Sequence, residues 1–179
     1  MTAKGHVMLA SVTTLGLFDL GLNFNISIPY PIYFYSSMII GSLMPDIDEP
    51  HSYIGNKLKI FSVIISAFVK HRGFTHFLIV PLLIAIGSYF VINKGMQITL
   101  LGLAWGILLH DAGDMLTKGG VKGFFFPFST TSKVTLDPEY LRFYTFSLQE
   151  YGFIVFLLFP LNLYFIYDLF EKGFFNEIF

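Results

Sequence analysis

The chain has 179 residues, 54% of them hydrophobic and 13% charged, against ~25% charged in an average soluble domain; that deficit excludes an ordinary water-soluble surface and makes a membrane protein the first expectation. A net charge of −1 and the lack of any basic helix or arm exclude a nucleic-acid binder. With no cysteine, disulfides and thiolate metal sites are excluded too, so any metal must be held by His, Asp or Glu.

The length fits one domain, residues 1–179. The N-terminal run MTAKGHVMLASVTTLGLF resembles a secretory signal only superficially. It carries His6 and leads into DLGLN with no small-residue cleavage site, so it reads as a retained first helix. Its apolar stretch is 7–22, and further apolar runs cover 31–44, 77–92, 98–116 and 151–170. A bilayer core needs about 20 apolar residues, with a range of roughly 17–25. The last two runs meet that; the first three are slightly short, which suits helices whose ends reach protein-lined polar ground. Between the second and third runs lies LKIFSVIISAFV, residues 58–69, too short to span and read as an interfacial or re-entrant helix. Residues 23–31, 93–97 and 117–147 read as loops from their Gly, Asn, Pro and Thr content. The fold expected is therefore all-α: a polytopic membrane helical bundle with about five spans plus an interfacial helix.

Charge sets the orientation. With five spans and the N-terminus inside, Lys4, Lys57, Lys59, Lys70, Arg72, Lys118, Lys122, Lys133 and Arg142 face the cytoplasm, and only Lys94 and Lys172 face out. Nine against two is a clear positive-inside bias. The expected place is thus a bacterial-type cytoplasmic (inner) membrane, crossed several times.

That topology brings chemistry to one face. His6 opens the first run; Asp46 and Asp48, in GSLMPDIDEPHS, follow the second; His71 and His76, in HRGFTH, precede the third; His110, Asp111 and Asp114, in LLHDAGDMLTKGG, end the fourth. Counting His51, all five histidines are at that face. Ionisable groups at the edge of a bilayer are expensive and usually mark function. His110 and Asp114 are four apart and share a helix face; Asp46 and Asp48 flank one residue of a Pro-led turn; Gly73 would let the backbone bend so that His71 and His76 both turn inward. His and Asp without Cys suit Zn, Mn, Fe or Mg, and this many donors suit a cluster of two or three ions. Plainer roles exist for single members. Asp46 could cap the next segment, Asp111 could be a packing carboxylate, His51 a surface residue, and Lys70 and Arg72 membrane anchors.

The motifs KGH, LMPDIDEPHSYIG, HRGFTH and HDAGDMLTKGGV, the last followed by PF, resemble the YdjM-type inner-membrane family of metal-dependent hydrolases, itself distantly like zinc-dependent phospholipase C. The resemblance runs from Lys4 to about Pro127, with residues 130–179 matching only as a hydrophobic tail. It implies His6, Asp46, Asp48, His71, His76, His110 and Asp114 as metal ligands, with zinc the first expectation, Mn, Fe or Mg the alternatives, and more than one ion. Family members commonly read PDIDHP where this chain has Glu49, so Glu49 or His51 could complete the set. The function expected is hydrolysis of a (phospho)ester of a membrane lipid or lipid-linked substrate at the cytoplasmic face. Metal would activate the water, with Asp46, Asp48 and Asp114 as catalytic carboxylates and Arg72 as a fork of donors for a phosphate. Thr75 and Thr117 could orient ligands, and TKGGVKG, residues 117–123, could bring backbone N–H groups to an anionic headgroup. Two rivals use the same residues: a closed metal staple without catalysis, and a lipid deacylase or amidase. Transport ranks lower, because transporters place their ionisable groups near the midplane; here only Asp19 and Asp168 stand away from the one face. Nothing in the sequence sets an oligomeric state.

Overall fold

A computed structural model describes residues 1–26, 29–68, 72–129, 132–135 and 138–177. Helix α1 (Ala3–Asn23) begins where the Thr2 side chain accepts the Gly5 N–H, an N-cap. Helix α2 (Pro31–Gly41) starts on a proline, whose missing N–H is no loss in a first turn. It runs into a 3-10 turn, Met44–Asp48, then the short helices α3 (Tyr53–Lys57) and α4 (Lys59–Phe68). A second 3-10 turn, Phe74–His76, leads into α5 (Ile79–Ser88). Helix α6 (Lys94–Met115) starts earlier than its apolar run because the Asn93 side chain accepts the Met96 N–H and caps it, so most of the expected loop 93–97 is helical. Strands β1 (Val121–Lys122) and β2 (Lys133–Val134) form a minimal antiparallel ribbon. Helices α7 (Leu148–Phe153) and α8 (Phe159–Glu171) are one continuous helix joined by a π turn, Ile154–Leu158. Pro160 lacks the N–H that would bond Phe156, and the helix widens just before it.

The architecture is all-α apart from that ribbon. Among the described residues two helices are long and apolar enough to cross a membrane, Ala3–Asn23 with 21 residues and Leu148–Glu171 with 24. At 1.5 Å per residue each covers about 30 Å or more, the thickness of a bilayer core. Helix α6 is as long, 22 residues, but carries Lys94, Asp111 and Asp114. The apolar runs at 31–44 and 77–92 form helices of only 11 and 10 residues.

What brings α2 onto α6, its most extensive partner, is the removal of side chains between them. A Cβ on Gly106 would lie 2.1 Å from the Met38 carbonyl oxygen, and one on Gly41 would lie 2.3 Å from that of Leu103. A Cβ on Gly102 would lie 2.3 Å from both the Phe34 carbonyl and Ser37 Oγ. Small residues four apart on both helices let the backbones touch, the usual basis of helix pairing in membranes. A polar seam ties the remaining helices. Ser11 Oγ donates to Asn162 Oδ1 at 2.5 Å and meets Tyr35 Oη at 2.6 Å, Asn162 Nδ2 donates to the Met8 carbonyl at 3.1 Å, and Trp105 Nε1 donates to Thr14 Oγ1 at 3.2 Å. At the far end Lys172 bridges Asp19 and Asp168, so the two acidic residues that stood apart in the sequence share one cation.

Two glycine substitutions separate this close contact from helix propensity. Gly106→Val drives a side chain into the Met38 carbonyl and is expected to cost about 1–3 kcal/mol, read as a lower unfolding midpoint in detergent. Gly87→Ala on α5 meets nothing within 4 Å and is expected to be neutral or to stabilise by up to about 1 kcal/mol.

Candidate metal centre

Helix α1 presents His6 one turn from its start, and α6 presents His110 and Asp114 one turn apart near its end. The 3-10 turn after α2 adds Asp46 and Asp48, and the one before α5 adds His76. The three imidazoles are fully buried and meet in one place. His6 stacks on His110 with ring centroids 3.7 Å apart and planes 8° from parallel, and His76 stands edge-on to His110 at 5.2 Å.

The tautomers follow from the partners. His110 Nδ1 lies 2.8 Å from the Ser42 carbonyl, an acceptor only, so Nδ1 carries the proton and Nε2 the lone pair. That lone pair is 3.6 Å from Asp46 Oδ1. Thr75 Oγ1 donates its one proton to Asp48 Oδ2 at 2.7 Å, and therefore accepts from His76 Nδ1 at 3.0 Å. His76 Nε2 then turns its lone pair toward Asp114, 3.8 Å from Oδ2. Asp114 is 1% exposed. It receives the Met1 amino group on Oδ1, His6 Nε2 at 3.4 Å, and Arg72 Nε on Oδ2 at 2.9 Å.

These donors fit a divalent cation. Among the described residues His6 Nδ1 and His110 Nε2 have no hydrogen-bond partner, and His6 Nε2 has only the Asp114 carboxylate at 3.4 Å; a buried polar atom left unpaired costs about 1–3 kcal/mol. Two groups of three, His6, Asp46 and His110, and His76, His110 and Asp114, each hold their ligand atoms within 4.8 Å of one another. Ligands of one ion at about 2.0–2.2 Å lie roughly 3–4 Å apart, so small shifts would close either group. His110 belongs to both but has one bare nitrogen, so it can serve only one ion at a time. Nitrogen and carboxylate oxygen without sulfur suit the ions expected from the composition.

The other expected site residues sort by place. Asp48, 1% exposed, lies outside both groups, directly behind His76: its Oδ2 takes the Thr75 hydroxyl and, at 3.1 Å, the Arg72 N–H, while His76 Nδ1 is 3.8 Å away. That is the position of the partner that orients a ligating histidine. The chain bends at Arg72, with φ +59°, and at Gly73, with φ −95° and ψ −127°, which aims the Arg72 N–H at Asp48 and its side chain at Asp114. Residues 117–123 hold this arginine rather than present a bare nest. Arg72 Nη1 donates to the Gly120 carbonyl at 3.1 Å, and a Cβ on Gly119 would lie 1.9 Å from that nitrogen. Thr117 is buried with its hydroxyl on the Asp114 carbonyl, closing α6. Asp111 is fully buried, with no hydrogen-bond partner for either oxygen among the described residues. His51 is exposed and Glu49 accepts the His51 N–H, and neither joins a group. His71 lies outside the described residues.

Two contributors were missed. One is the Ser42 carbonyl, a backbone atom with no sequence signal. The other is Glu150, fully buried, which takes the Thr2 N–H at 2.5 Å and the Phe146 N–H at 2.7 Å and so pins the start of α1 to the start of α7. Its signal was present: SLQE, residues 147–150, is a capping box, and Ser147 Oγ does accept the Glu150 N–H. Asp46 opens onto a cleft of about 640 Å³ lined also by Lys4, Glu49, Tyr53, Arg72 and Tyr151.

The model of the YdjM inner membrane protein family matches residues 1–175, and the chain belongs to that family. The match carries through the C-terminal segment, beyond the part in which the motifs lie. The chain is 33% identical over 124 residues to inner membrane protein YdjM of Escherichia coli and to that of Shigella flexneri, covering 68% of this chain and 63% of each relative. It is 33% identical over 152 residues to YvsG of Bacillus subtilis, covering 83% of this chain and 86% of that protein. The chain thus spans less than two thirds of the length of the two YdjM relatives. No solved structure matches. These matches carry the membrane family and no reaction, and none carries the likeness to phospholipase C.

The Thr75 relay makes a prediction. Thr75→Val removes the acceptor of His76 Nδ1 and one donor to Asp48, and metal affinity is expected to fall about 10–100-fold, whereas Thr75→Ser retains it. Competition with a chromophoric chelator measures both.

Proposed function

We propose that the chain is an integral-membrane, metal-dependent hydrolase. It would cleave an ester, foremost a phosphoester, of a lipid or lipid-linked substrate at the cytoplasmic face of the inner membrane. The observation that carries this reading is that a buried set of bare imidazole nitrogens meets an open cleft through one carboxylate. A structural staple would close every coordination position; the Asp46 side chain is 19% exposed and borders the cleft, which leaves room for a water and a substrate oxygen.

The orientation rests on the nine-to-two charge bias. Helices α1, α6 and the continuous α7–α8 would cross the bilayer, and α2 and α5 would complete the five-span bundle, their short helices extended by flanking chain.

His6, His76, His110, Asp46 and Asp114 would hold the cation, zinc before Mn, Fe or Mg. A second ion would need a donor beyond the single bare nitrogen of His110. The cation would supply an acidified water near neutral pH and polarise the ester oxygen. The chain does the rest. Asp46, at the cleft wall, accepts the water's proton at its exposed carboxylate edge. Asp48 and Thr75 keep the His76 lone pair turned inward. Arg72, braced by Asp114 and Gly120, offers guanidinium N–H donors to a phosphate at the cleft. An acyl ester or amide carbon would be open to the same water, so a deacylase belongs to the same reading.

Purified wild type and His110→Ala, both confirmed as inserted, test this through elemental metal content and release of headgroup or phosphate from a mixed lipid extract. Stoichiometric metal and release in wild type alone are expected. Stoichiometric metal in wild type with no release from any lipid class contradicts the hydrolase and leaves the staple.

A further inference from the structure

Helix α4 faces the wrong way for water. Its ten residues turn Ser62, fully buried, and the half-buried Ile65 and Ser66 toward the protein, and its other large apolar residues outward. Ile60 is 76% exposed, Phe61 63%, Ile64 53% and Phe68 87%. Three of these, Ile60, Ile64 and Phe68, recur every fourth residue and form one stripe. A soluble surface helix has the opposite arrangement, polar outward and apolar inward, so the medium outside α4 is apolar. At about 15 Å the helix is half the length needed to cross a bilayer core. Its two-faced pattern, with Lys57 and Lys59 at its start, suits a helix lying on a membrane.

Two further observations fix the level. Lys57 and Lys59 stand at the start of α4, where they complement anionic headgroups. The segment after α6 repeats the pattern at the same end of the bundle: Phe128, Tyr140, Tyr144, Phe146 and Leu148 are exposed, and Lys118 lies 4.5 Å over the Tyr144 ring. Exposed aromatics beside cations are the composition of a membrane–water interface.

We infer that α4 is a membrane-surface helix, seated by its Ile60–Ile64–Phe68 stripe in the headgroup and upper acyl region of an anionic bilayer. Its inner face packs on the 3-10 turn Met44–Asp48 that carries Asp46. Two packed helix-like elements are about 10 Å apart, so the seating holds the cleft at headgroup depth, where a lipid need not leave the bilayer to reach it. The inference rests on membrane location alone and does not depend on hydrolysis.

The absence of cysteine makes the test direct. Phe61→Cys and Ile64→Cys, each carrying a nitroxide on an otherwise intact chain, are reconstituted in bilayers of phosphatidylethanolamine and phosphatidylglycerol. Collision with oxygen, which concentrates in lipid, is compared with collision with a nickel chelate, which stays in water. Both positions are exposed, so the substitutions leave packing alone, and two positions guard against a local artefact. The expected result is oxygen collision exceeding nickel collision several-fold at both labels, at a depth just below the headgroups. Nickel-dominated collision would place α4 in water and overturn the inference. So would depth at the bilayer centre, or protection from both reagents with dipolar broadening, which would mark contact with a second copy.

Discussion

The contact between α2 and α6 governs the rest. His110 can offer a lone pair only if something takes the proton on its other nitrogen, and that acceptor is the Ser42 carbonyl at 2.8 Å. Ser42 reaches it because Gly41, Gly102 and Gly106 let the two backbones come together. From His110 the arrangement propagates. His6 stacks on its ring, His76 meets it edge-on, and the carboxylates of Asp46 and Asp114 each join it in a group of three. A packing rule thus fixes a tautomer, and the tautomer fixes what the site can bind.

Burial supplies the energetic pressure. Asp46, Asp48, Asp111 and Asp114 gather with Arg72 and the Met1 amino group as the cationic groups paired to Asp114. Charges removed from water must be matched by partners of opposite sign or by a bound cation. The structure meets part of this with Arg72, itself braced by Gly120, and part with backbone donors to Asp48 and Glu150. Among the described residues the bare nitrogens of His6 and His110 remain, and a divalent ion would satisfy them.

The sequence made the gathering of these residues legible, because charge bias and apolar runs alone put His6, Asp46, Asp48, His76, His110 and Asp114 at one face. The all-α class was legible for the same reason. Helix lengths were not. Asn93 caps α6 early, and the runs at 31–44 and 77–92 yield shorter helices, since an apolar run marks burial or lipid contact without marking where the backbone leaves the helix. Individual roles were hidden further. Asp46 and Asp48 look equivalent two residues apart, yet one borders the cleft and the other sits behind His76, which only the path of the 3-10 turn decides. Residues 117–123 read as an anion nest and prove to be the seat of Arg72, a contact across 48 positions that no local pattern encodes.

The central claim is that imidazoles from three separate segments and the carboxylates between them form one metal-binding unit. X-ray absorption at the edge of the bound metal tests it most directly. The account predicts nitrogen and oxygen donors at about 2.0–2.2 Å with the outer-shell scattering of imidazole, weakened in His6→Ala and again in His76→Ala. A bound metal whose spectrum shows no imidazole scattering, or one unchanged by both substitutions, would contradict it.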